Sequence, residues 1–170
     1  MPDLPERPDP AFDLGERDLL ADFLDFHRGT VHLKVSGLSD DDAWRRAVPS
    51  PTTPAGLVKH LTYVEQYWFR TVLAGVPDLP YPFDADNPDG DFARSDGDTV
   101  EALLAAYAAE CERSREVAAA MPLDGQAAGS TGQGGRPTLR WVLVHLIEET
   151  GRHNGHLDIL RELIDGSTGE

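Results

Sequence analysis

The most informative stretch for chemistry is WVLVHLIEETGRHNGHLDILR, residues 141–161, where carboxylates and imidazoles interrupt an otherwise apolar segment. On an α-helix, with about 100° of rotation per residue, its apolar side chains gather into one core-facing arc. Glu149 and His153, four residues apart, lie on the flank of that arc, whereas Glu148 points almost the opposite way. The pattern predicts that Glu149 and His153 face inward and that Glu148 is solvated. The arc consists of Leu139, Val142, Leu143, Leu146, Leu157, Leu160 and Ile164.

Two more histidines of the same helix, His145 and His156, lie a little further round on the side of Glu149. Burying such polar groups without partners costs several kcal/mol each, so something must compensate them. A bound metal ion is one way to do so. If Glu149 and His153 are ligands, His156 or His145 is expected to support a ligand or to carry a proton during catalysis.

A histidine on another predicted helix can complete this group. Thr53 as N-cap and Pro54 at the first helical position predict a helix that continues through HLTYVEQYWFRTVL to Gly75. His60 lies one helical step from the apolar Leu57, so its imidazole faces the interior edge of that helix. A lone inward histidine is usually a hydrogen-bonded core residue. Beside a helix that carries inward Glu149 and His153, a ligand role is favoured.

These three side chains form a set that suits one divalent ion. Packed helices place their axes about 8–10 Å apart, so side chains facing each other can reach a common point. His60, Glu149 and His153 make a histidine-histidine-carboxylate set that can hold zinc or ferrous iron. Three protein ligands leave a coordination position open, as in catalytic sites. A divalent ion there lowers the pKa of water or of a coordinated thiol, giving hydroxide or thiolate near neutral pH.

Four long helices account for most of the chain. The first is predicted from Asp13, with Glu16 as its capping partner, to about Ser36, before Gly37. The third is predicted over about 99–121, with Asp98 and Glu101 as a capping pair, and the fourth starts after Thr138 and ends at Gly166. No alternating run is long enough to require a sheet. The sequence therefore predicts an all-α four-helix bundle.

The remaining candidate groups favour simpler interpretations. His27 and His32 stand about 140° apart on a helix and cannot serve one site together, so each is expected to be structural. Cys111 is expected to be a small helix residue. The loop over residues 76–97 is long enough to be functional or mobile, but it lacks the ligand pattern of an EF-hand. The glycine-rich connection before Thr138 lacks the G-K-[ST] of a phosphate-binding loop.

Composition limits the partners and the compartment. The 170 residues carry a formal charge of −15, which argues against nucleic acids and anionic membrane surfaces as partners. No apolar run approaches the roughly 20 residues of a membrane span, and residues 1–10 lack the apolar segment of a signal peptide. A single cysteine excludes an internal disulfide framework. We therefore expect a cytoplasmic protein with an extended arm over residues 1–12 and one domain over residues 13–170.

At the histidine-bearing segments the chain resembles a known superfamily. HLTYVEQYW in the second helix together with HLIEETGRHNGHLDILRE in the fourth is similar to the DinB/YfiT-like proteins, particularly their small single-domain members. The resemblance implies a bundle of up-down-down-up connectivity, often dimeric, with a metal near one end. His60 matches the first ligand of the family and His153 the last. Glu149 stands where many relatives carry histidine, and is similar to the glutamate ligand of mycothiol-dependent maleylpyruvate isomerase.

The resemblance also implies a class of reaction. The family's activities include metal-assisted transfer of low-molecular-weight thiols such as mycothiol or bacillithiol, and thiol-dependent isomerisation. The isomerase has an additional C-terminal domain that is missing from this sequence, so transfer is the activity we expect. The expected protein is a thiol S-transferase that uses one divalent ion, most readily zinc, with nickel or iron as alternatives. It attaches the thiol to an electrophilic small molecule for detoxification, and it is expected to be a homodimer.

Two other functions are compatible with the same residues. A non-catalytic metal-binding or stress-response protein would use the site to sequester an ion or to stabilise the bundle. A metal-dependent hydrolase would use bound hydroxide and would need no thiol. The absence of metal-dependent conjugation favours the first alternative, and activity without any thiol favours the second.

Overall fold

The computed structural model describes residues 7–168, and over this range the chain is helical with no strand. The helices are α1 (Glu16–Val35), α2 (Asp40–Ala43), α3 (Pro54–Glu65), α4 (Val100–Ala119) and α5 (Leu139–Asp165). A π-helical segment, Gln66–Leu73, continues α3, and a 3₁₀ turn, Gly90–Phe92, lies in the long loop. The all-α prediction is confirmed. The predicted first, second, third and fourth helices correspond to α1, α3 with the π segment, α4 and α5.

Most helix ends lie where the sequence predicts them. The Thr53 side chain accepts a hydrogen bond from Gly56 N, so the predicted N-cap is confirmed. Helix α5 starts after Thr138 as predicted, and the Thr138 hydroxyl caps it by accepting from Trp141 N. Gly37 and Gly166 follow the ends of α1 and α5 with φ of 83° and 75°, the left-handed conformation expected of a terminating glycine.

Two predicted capping pairs are wrong. Helix α1 begins at Glu16 with Gly15 as N-cap and no side-chain cap, so it starts three residues later than predicted. The Glu16 carboxylate accepts from Arg140 of α5 at 2.7 Å instead of folding back on its own helix. Helix α4 is capped by Thr99, whose hydroxyl accepts from Ala102 N. Asp98 was the predicted cap, but its carboxylate is engaged by Lys59 at 2.8 Å.

The second half of the predicted second helix is wound more widely than expected. Over Gln66–Leu73 the backbone bonds reach five residues back, and the pattern ends with Ala74 N donating to Phe69 O at 2.9 Å. Gly75 then takes φ 68° and turns the chain into the loop. The segment buries Phe69, Val72 and Leu73. The predicted end of the helix near Gly75 is confirmed, whereas a regular α-helix up to that point is not.

The core consists of two apolar clusters separated by polar side chains. One cluster surrounds Leu61 and Leu157, and the other surrounds Phe69 and Leu146. In each long helix, buried polar residues lie between the positions that belong to the two clusters. Among the charged ones, Glu65 is the most enclosed at 1% exposure. Helix α1 packs mainly on α5, and α3 mainly on α4. The polar residues between the clusters include Arg28, Glu65, Glu110, Ser114, Thr150 and Asn154.

The structure tests the predicted N-terminal arm only in part, and it does not test the predicted connectivity of the bundle. Of the predicted arm, residues 1–6 lie outside the described part, and residues 7–15 precede α1 without forming a helix. Arg7 donates to Thr30 Oγ1 at 3.1 Å, so this end of the described chain contacts α1. Up-down-down-up connectivity remains a prediction. Within residues 7–168 no helix is long and apolar enough to cross a membrane.

Candidate metal centre

Helices α3 and α5 bring His60, Glu149 and His153 together. Glu149 Oε1 lies 3.2 Å from His153 Nε2 and 3.7 Å from His60 Nε2. One donor atom from each residue lies within 4.8 Å of the other two. Tetrahedral zinc with bonds of about 2.0–2.2 Å holds its ligand atoms about 3.3–3.6 Å apart. Two imidazole nitrogens and a carboxylate oxygen at these separations fit a small divalent ion.

The apolar face of α5 explains why its polar pair points to this place. Leu146 and Leu157 are fully buried on either side of the pair, which fixes the rotation of the helix and leaves the flank facing α3. The side chains of His60, Glu149 and His153 keep 20%, 16% and 12% of their exposure, respectively. The centre is therefore partly buried: it packs on the core on one side, and part of each side chain is exposed on the other.

The electrostatic environment favours the protonation states that a metal ion needs. Burial by itself would raise the pKa of Glu149, but His153, Arg152 and His60 outweigh burial and hold that pKa below its ordinary value. Arg152 lies 3.4 Å from Glu149 Oε2. Burial lowers the pKa of His153, and His60 adds to the effect. An ionised carboxylate beside a neutral imidazole is the form in which these groups bind metals.

The far side of His60 is held by a residue that the sequence did not indicate. His60 Nδ1 lies 2.6 Å from Asp91 Oδ2, in the 3₁₀ turn of the long loop. Phe92 stacks on the same imidazole with ring centroids 4.7 Å apart. The only sequence signal was the length of the loop and its acidic residues, which do not single out one aspartate among many. Asp91 is 5% exposed, which is unusual for an acidic loop residue.

The other predicted site residues of α5 lie around this centre at different distances. His156 Nδ1 is 3.3 Å from His153 Nδ1, so His156 contacts a candidate ligand directly. His145 stacks on Trp141 at 5.1 Å between ring centroids and meets the edge of Trp68 at 4.8 Å. The structure thus brings His156 to the group, whereas His145 belongs to an aromatic cluster one turn before Glu149. Glu148 is exposed and bonds Arg152, as its outward direction predicts.

The histidines and the cysteine that were expected to be structural lie elsewhere. His27 Nδ1 is 3.4 Å from the Asn154 amide, which also donates to the His27 carbonyl at 3.0 Å. His32 Nδ1 lies 3.4 Å from Ser36 Oγ on its own helix. Cys111 is buried in the core beside Tyr107, and burial raises the pKa of its thiol to about 12. At neutral pH this cysteine is a protonated, apolar core residue.

Comparison with known proteins gives a family. No curated protein matches the sequence. The family model described as Mycothiol-S-transferase matches residues 19–166, which include α1 from its second turn, the long loop and all of α5. His60, Glu149 and His153 lie within the matched range. This match agrees with the resemblance to DinB/YfiT-like thiol transferases, and the chain belongs to the mycothiol-S-transferase family.

Proposed function

We propose that this protein is a metal-dependent transferase that activates a low-molecular-weight thiol for attack on an electrophilic small molecule. Its family indicates that this thiol is mycothiol. The observation that carries the proposal is the convergence of two imidazole nitrogens and one carboxylate oxygen within 4.8 Å in a member of this family. Zinc is the ion expected first, because two nitrogens and one oxygen suit a tetrahedral site that keeps an open position. Nickel and iron are the alternatives.

The proposed chemistry combines an ion with the groups around it. A divalent ion held by His60, Glu149 and His153 would lower the pKa of a coordinated thiol, so that thiolate is available near neutral pH. In the transfer, the thiol loses its proton, a carbon–sulfur bond forms at the electrophile, and the electron pair leaves with a leaving group or is protonated on the adduct. The protein would hold the thiol and the electrophile with their reacting atoms close together, and it would accept and deliver that proton.

His156 is the proposed proton carrier. Its Nδ1 lies 3.3 Å from His153 Nδ1, and its side chain is exposed, so it can exchange protons with solvent. It also sits next to a candidate ligand rather than in the aromatic cluster that contains His145. His145, stacked on Trp141, is better suited to the wall of the substrate site.

Aromatic side chains from α3 and the long loop provide surfaces for the substrates. Tyr63 lies 6.0 Å from Tyr81 and 6.5 Å from Phe83 between ring centroids. Trp68 and Trp141 form a second surface with His145, beside a cleft closed by residues 131–137. Flat apolar surfaces next to a polar centre suit an apolar electrophile and the body of a thiol that would otherwise stay in water. The loop over residues 76–97 is thus proposed to shape the substrate site.

The experiment combines metal analysis with an activity screen. His60→Ala, Glu149→Ala and His153→Ala are each expected to lower the metal content of the purified protein and to abolish conjugation of thiols to model electrophiles. Glu148→Ala is the matched control on the same helix and keeps both. Metal content is measured by elemental analysis, and conjugation by loss of free thiol with mycothiol, bacillithiol and other thiols.

The outcomes separate the proposal from its alternatives. Full metal occupancy in the variant that lacks all three candidate ligands refutes the metal centre. Metal binding without conjugation of any thiol supports a metal-binding or stress-response protein. Turnover that needs the metal but no thiol supports a hydrolase. Loss of conjugation on chelation and its return on adding zinc supports the transferase.

The proposal extends to the setting of the reaction. A reduced thiol as co-substrate fits the cytoplasmic location predicted from the sequence. We propose that residues 13–170 form one domain, and the family match over residues 19–166 supports this. The homodimer implied by the resemblance remains a prediction, and light scattering coupled to size-exclusion chromatography tests it.

A further inference from the structure

The strongest feature outside the candidate ligands is the contact between Asp91 and His60. Asp91 Oδ2 lies 2.6 Å from His60 Nδ1, and the carboxylate is buried at 5% exposure. His60 Nε2 points the other way, 3.7 Å from Glu149 Oε1. The two ring nitrogens of His60 therefore face two different groups, one in the loop and one on α5.

The loop segment that carries Asp91 packs against the rest of the loop before Asp91 and against α3 after it. A Cβ at Gly90 would lie 2.0 Å from the Pro82 carbonyl oxygen, so only glycine fits this close approach of backbone to backbone. A Cβ at Gly56 would lie 3.2 Å from the Phe92 carbonyl oxygen, which shows how closely the turn packs on α3. Lys59, the neighbour of His60, donates to Ala93 O at 2.7 Å. Asp91 is thus held by packing as well as by its contact with His60.

We infer that Asp91 is a positioning residue that keeps His60 in the Nδ1–H tautomer and so presents the Nε2 lone pair to the metal ion. An ionised carboxylate only accepts hydrogen bonds, so the nitrogen 2.6 Å away must carry the proton. A neutral imidazole has one proton, which leaves Nε2 unprotonated. A hydrogen bond of this kind orients a ligand ring and raises its basicity toward metals. The inference rests on the proposed metal centre for its function and on this contact for its geometry.

The geometry separates Asp91 from the ligands themselves. The donor atoms of His60, Glu149 and His153 converge, whereas Asp91 contacts the opposite edge of the His60 ring. Because Asp91 Oδ2 contacts His60 Nδ1, the imidazole ring lies between the Asp91 carboxylate and His60 Nε2. Its effect on the ion therefore passes through His60.

The first test uses the unmodified protein without metal. The ¹⁵N shifts of the His60 ring, measured at about pH 8.5, above the ordinary titration range of histidine, report which nitrogen carries the proton. His60→Gln identifies the His60 signals by their disappearance. We expect a protonated Nδ1 and a bare Nε2. An Nε2–H tautomer, or an even mixture of the two, overturns the inference, and this measurement needs no folded Asp91 variant.

The second test removes the acceptor. Asp91→Ala is expected to shift His60 toward the Nε2–H tautomer and to weaken zinc binding by about 10- to 100-fold in competition with a chromophoric chelator. Asp91→Asn keeps an oxygen acceptor without the charge, so its loss should be smaller than that of Asp91→Ala. Asp89→Ala, an exposed aspartate two residues earlier, is the matched control and keeps the affinity of the unmodified protein. Circular dichroism and thermal melting verify that each variant is folded.

The results distinguish this inference from the proposed function. Unchanged tautomer and affinity in folded Asp91→Ala overturn the positioning role while leaving the metal centre intact. If the unmodified protein binds no divalent ion, the proposed function is wrong. The tautomer of His60 would still show whether Asp91 determines which ring nitrogen of His60 carries the proton. If Asp91→Ala does not fold, Asp91→Asn and the unmodified protein supply the decisive data. An affinity of Asp91→Asn equal to or tighter than that of the unmodified protein also counts against the role of the charge.

Discussion

At the scale of single residues, His153 has a polar neighbour at each of its two ring nitrogens. Its Nε2 lies 3.2 Å from Glu149 and its Nδ1 lies 3.3 Å from His156. A ring with a carboxylate on one nitrogen and another imidazole on the other can link an ion to a proton acceptor at the surface. In the proposed mechanism such a pair would divide two functions: the partly buried His153 would bind the ion, and the exposed His156 would exchange protons with solvent.

This arrangement predicts different effects for the two outer histidines. His156→Ala should leave metal content unchanged and lower the turnover rate of conjugation by about 10²–10⁴-fold, the usual contribution of a general acid or base. It should also remove one limb of the pH–rate profile. His145→Ala should mainly raise KM, because it disturbs the stack with Trp141. Steady-state kinetics over a range of pH provide the measurement, and a His156→Ala enzyme with normal turnover contradicts the proton-carrier role.

The candidate ligands were within reach of sequence reasoning because helical periodicity is strict. The spacing of Glu149 and His153 and the apolar arc beside them fix their common direction, and the same logic applies to His60 against Leu57. Asp91 was out of reach. Its contact with His60 joins residues 31 positions apart and depends on how an irregular loop folds back, which no periodicity describes.

At the scale of elements, the contact between α1 and α5 passes through a close approach at Gly151. A Cβ at Gly151 would lie 3.3 Å from His27 Cε1, and Asn154 donates to the His27 carbonyl. Burial lowers the pKa of His27, so the folded protein holds this ring in its neutral form. The folded state therefore favours the uncharged imidazole at this contact.

That packing predicts a pH dependence of stability. In the unfolded chain the His27 side chain has a pKa of about 6.5, whereas the folded value is lower. The unfolded state therefore binds the proton first as the pH falls. The stabilisation is complete above about pH 6.5 and is lost progressively below it, by at most about 1.4 kcal/mol per pH unit for one proton. His27→Gln should reduce the decline of the unfolding free energy between about pH 7 and pH 5. Urea unfolding at several pH values measures this, and equal slopes for both proteins would count against it.

Element ends illustrate how far local sequence rules extend. The helix boundaries at Thr53, Thr138 and Gly166 were predicted correctly because capping hydroxyls and left-handed glycines act within a few residues. Asp13 and Asp98 were wrong as caps because Arg140 and Lys59, distant in sequence, engage the side chains on which the predicted pairs depended. The π segment was missed because, over eight residues, its apolar pattern resembles that of an α-helix.

At the scale of the whole molecule, a buried ion pair joins α1 and α3 between the two apolar clusters. Arg28 Nε donates to Glu65 Oε1 at 2.7 Å and Arg28 Nη2 to Glu65 Oε2 at 2.6 Å. The side chains are 6% and 1% exposed. A two-pronged contact of this kind satisfies both groups, and removing either partner leaves a charge in the core.

Breaking this pair should affect the stability of the entire domain. Glu65→Ala is expected to cost about 3–5 kcal/mol, because it leaves the Arg28 guanidinium buried without its main partner. Glu112→Ala removes a mostly exposed ion pair with Arg115 and should change stability by about 1 kcal/mol or less. Chemical denaturation of both variants measures the difference. Equal losses for the two variants would show that the Arg28–Glu65 pair does not hold the clusters together.

The global fold was predictable and its polar interior was not. Four amphipathic segments of helical length predict a bundle, because each helix must bury its apolar face against another helix. The Arg28–Glu65 pair joins residues 37 positions apart, and either side chain alone is expected at the surface. Single-helix patterns contain no information about which charges meet across the core.

The close contact at Gly90 divides the long loop into two stretches that differ in how readily they can accept changes of sequence. Residues 84–89 are exposed, so replacements and insertions there would meet solvent rather than packed neighbours. Between Gly90 and Asp98 the chain is tied to α3, because Phe92 stacks on His60 and Lys59 donates to Ala93 O, Ser95 Oγ and Asp98 Oδ2. One added carbon at Gly90 would also collide with Pro82 of the same loop. If the protein is the proposed transferase, selectivity for new electrophiles could be acquired by substitutions in the first stretch while the second keeps the candidate ligand His60 in place. Residues 84–89 are therefore the part of the loop to vary in library design.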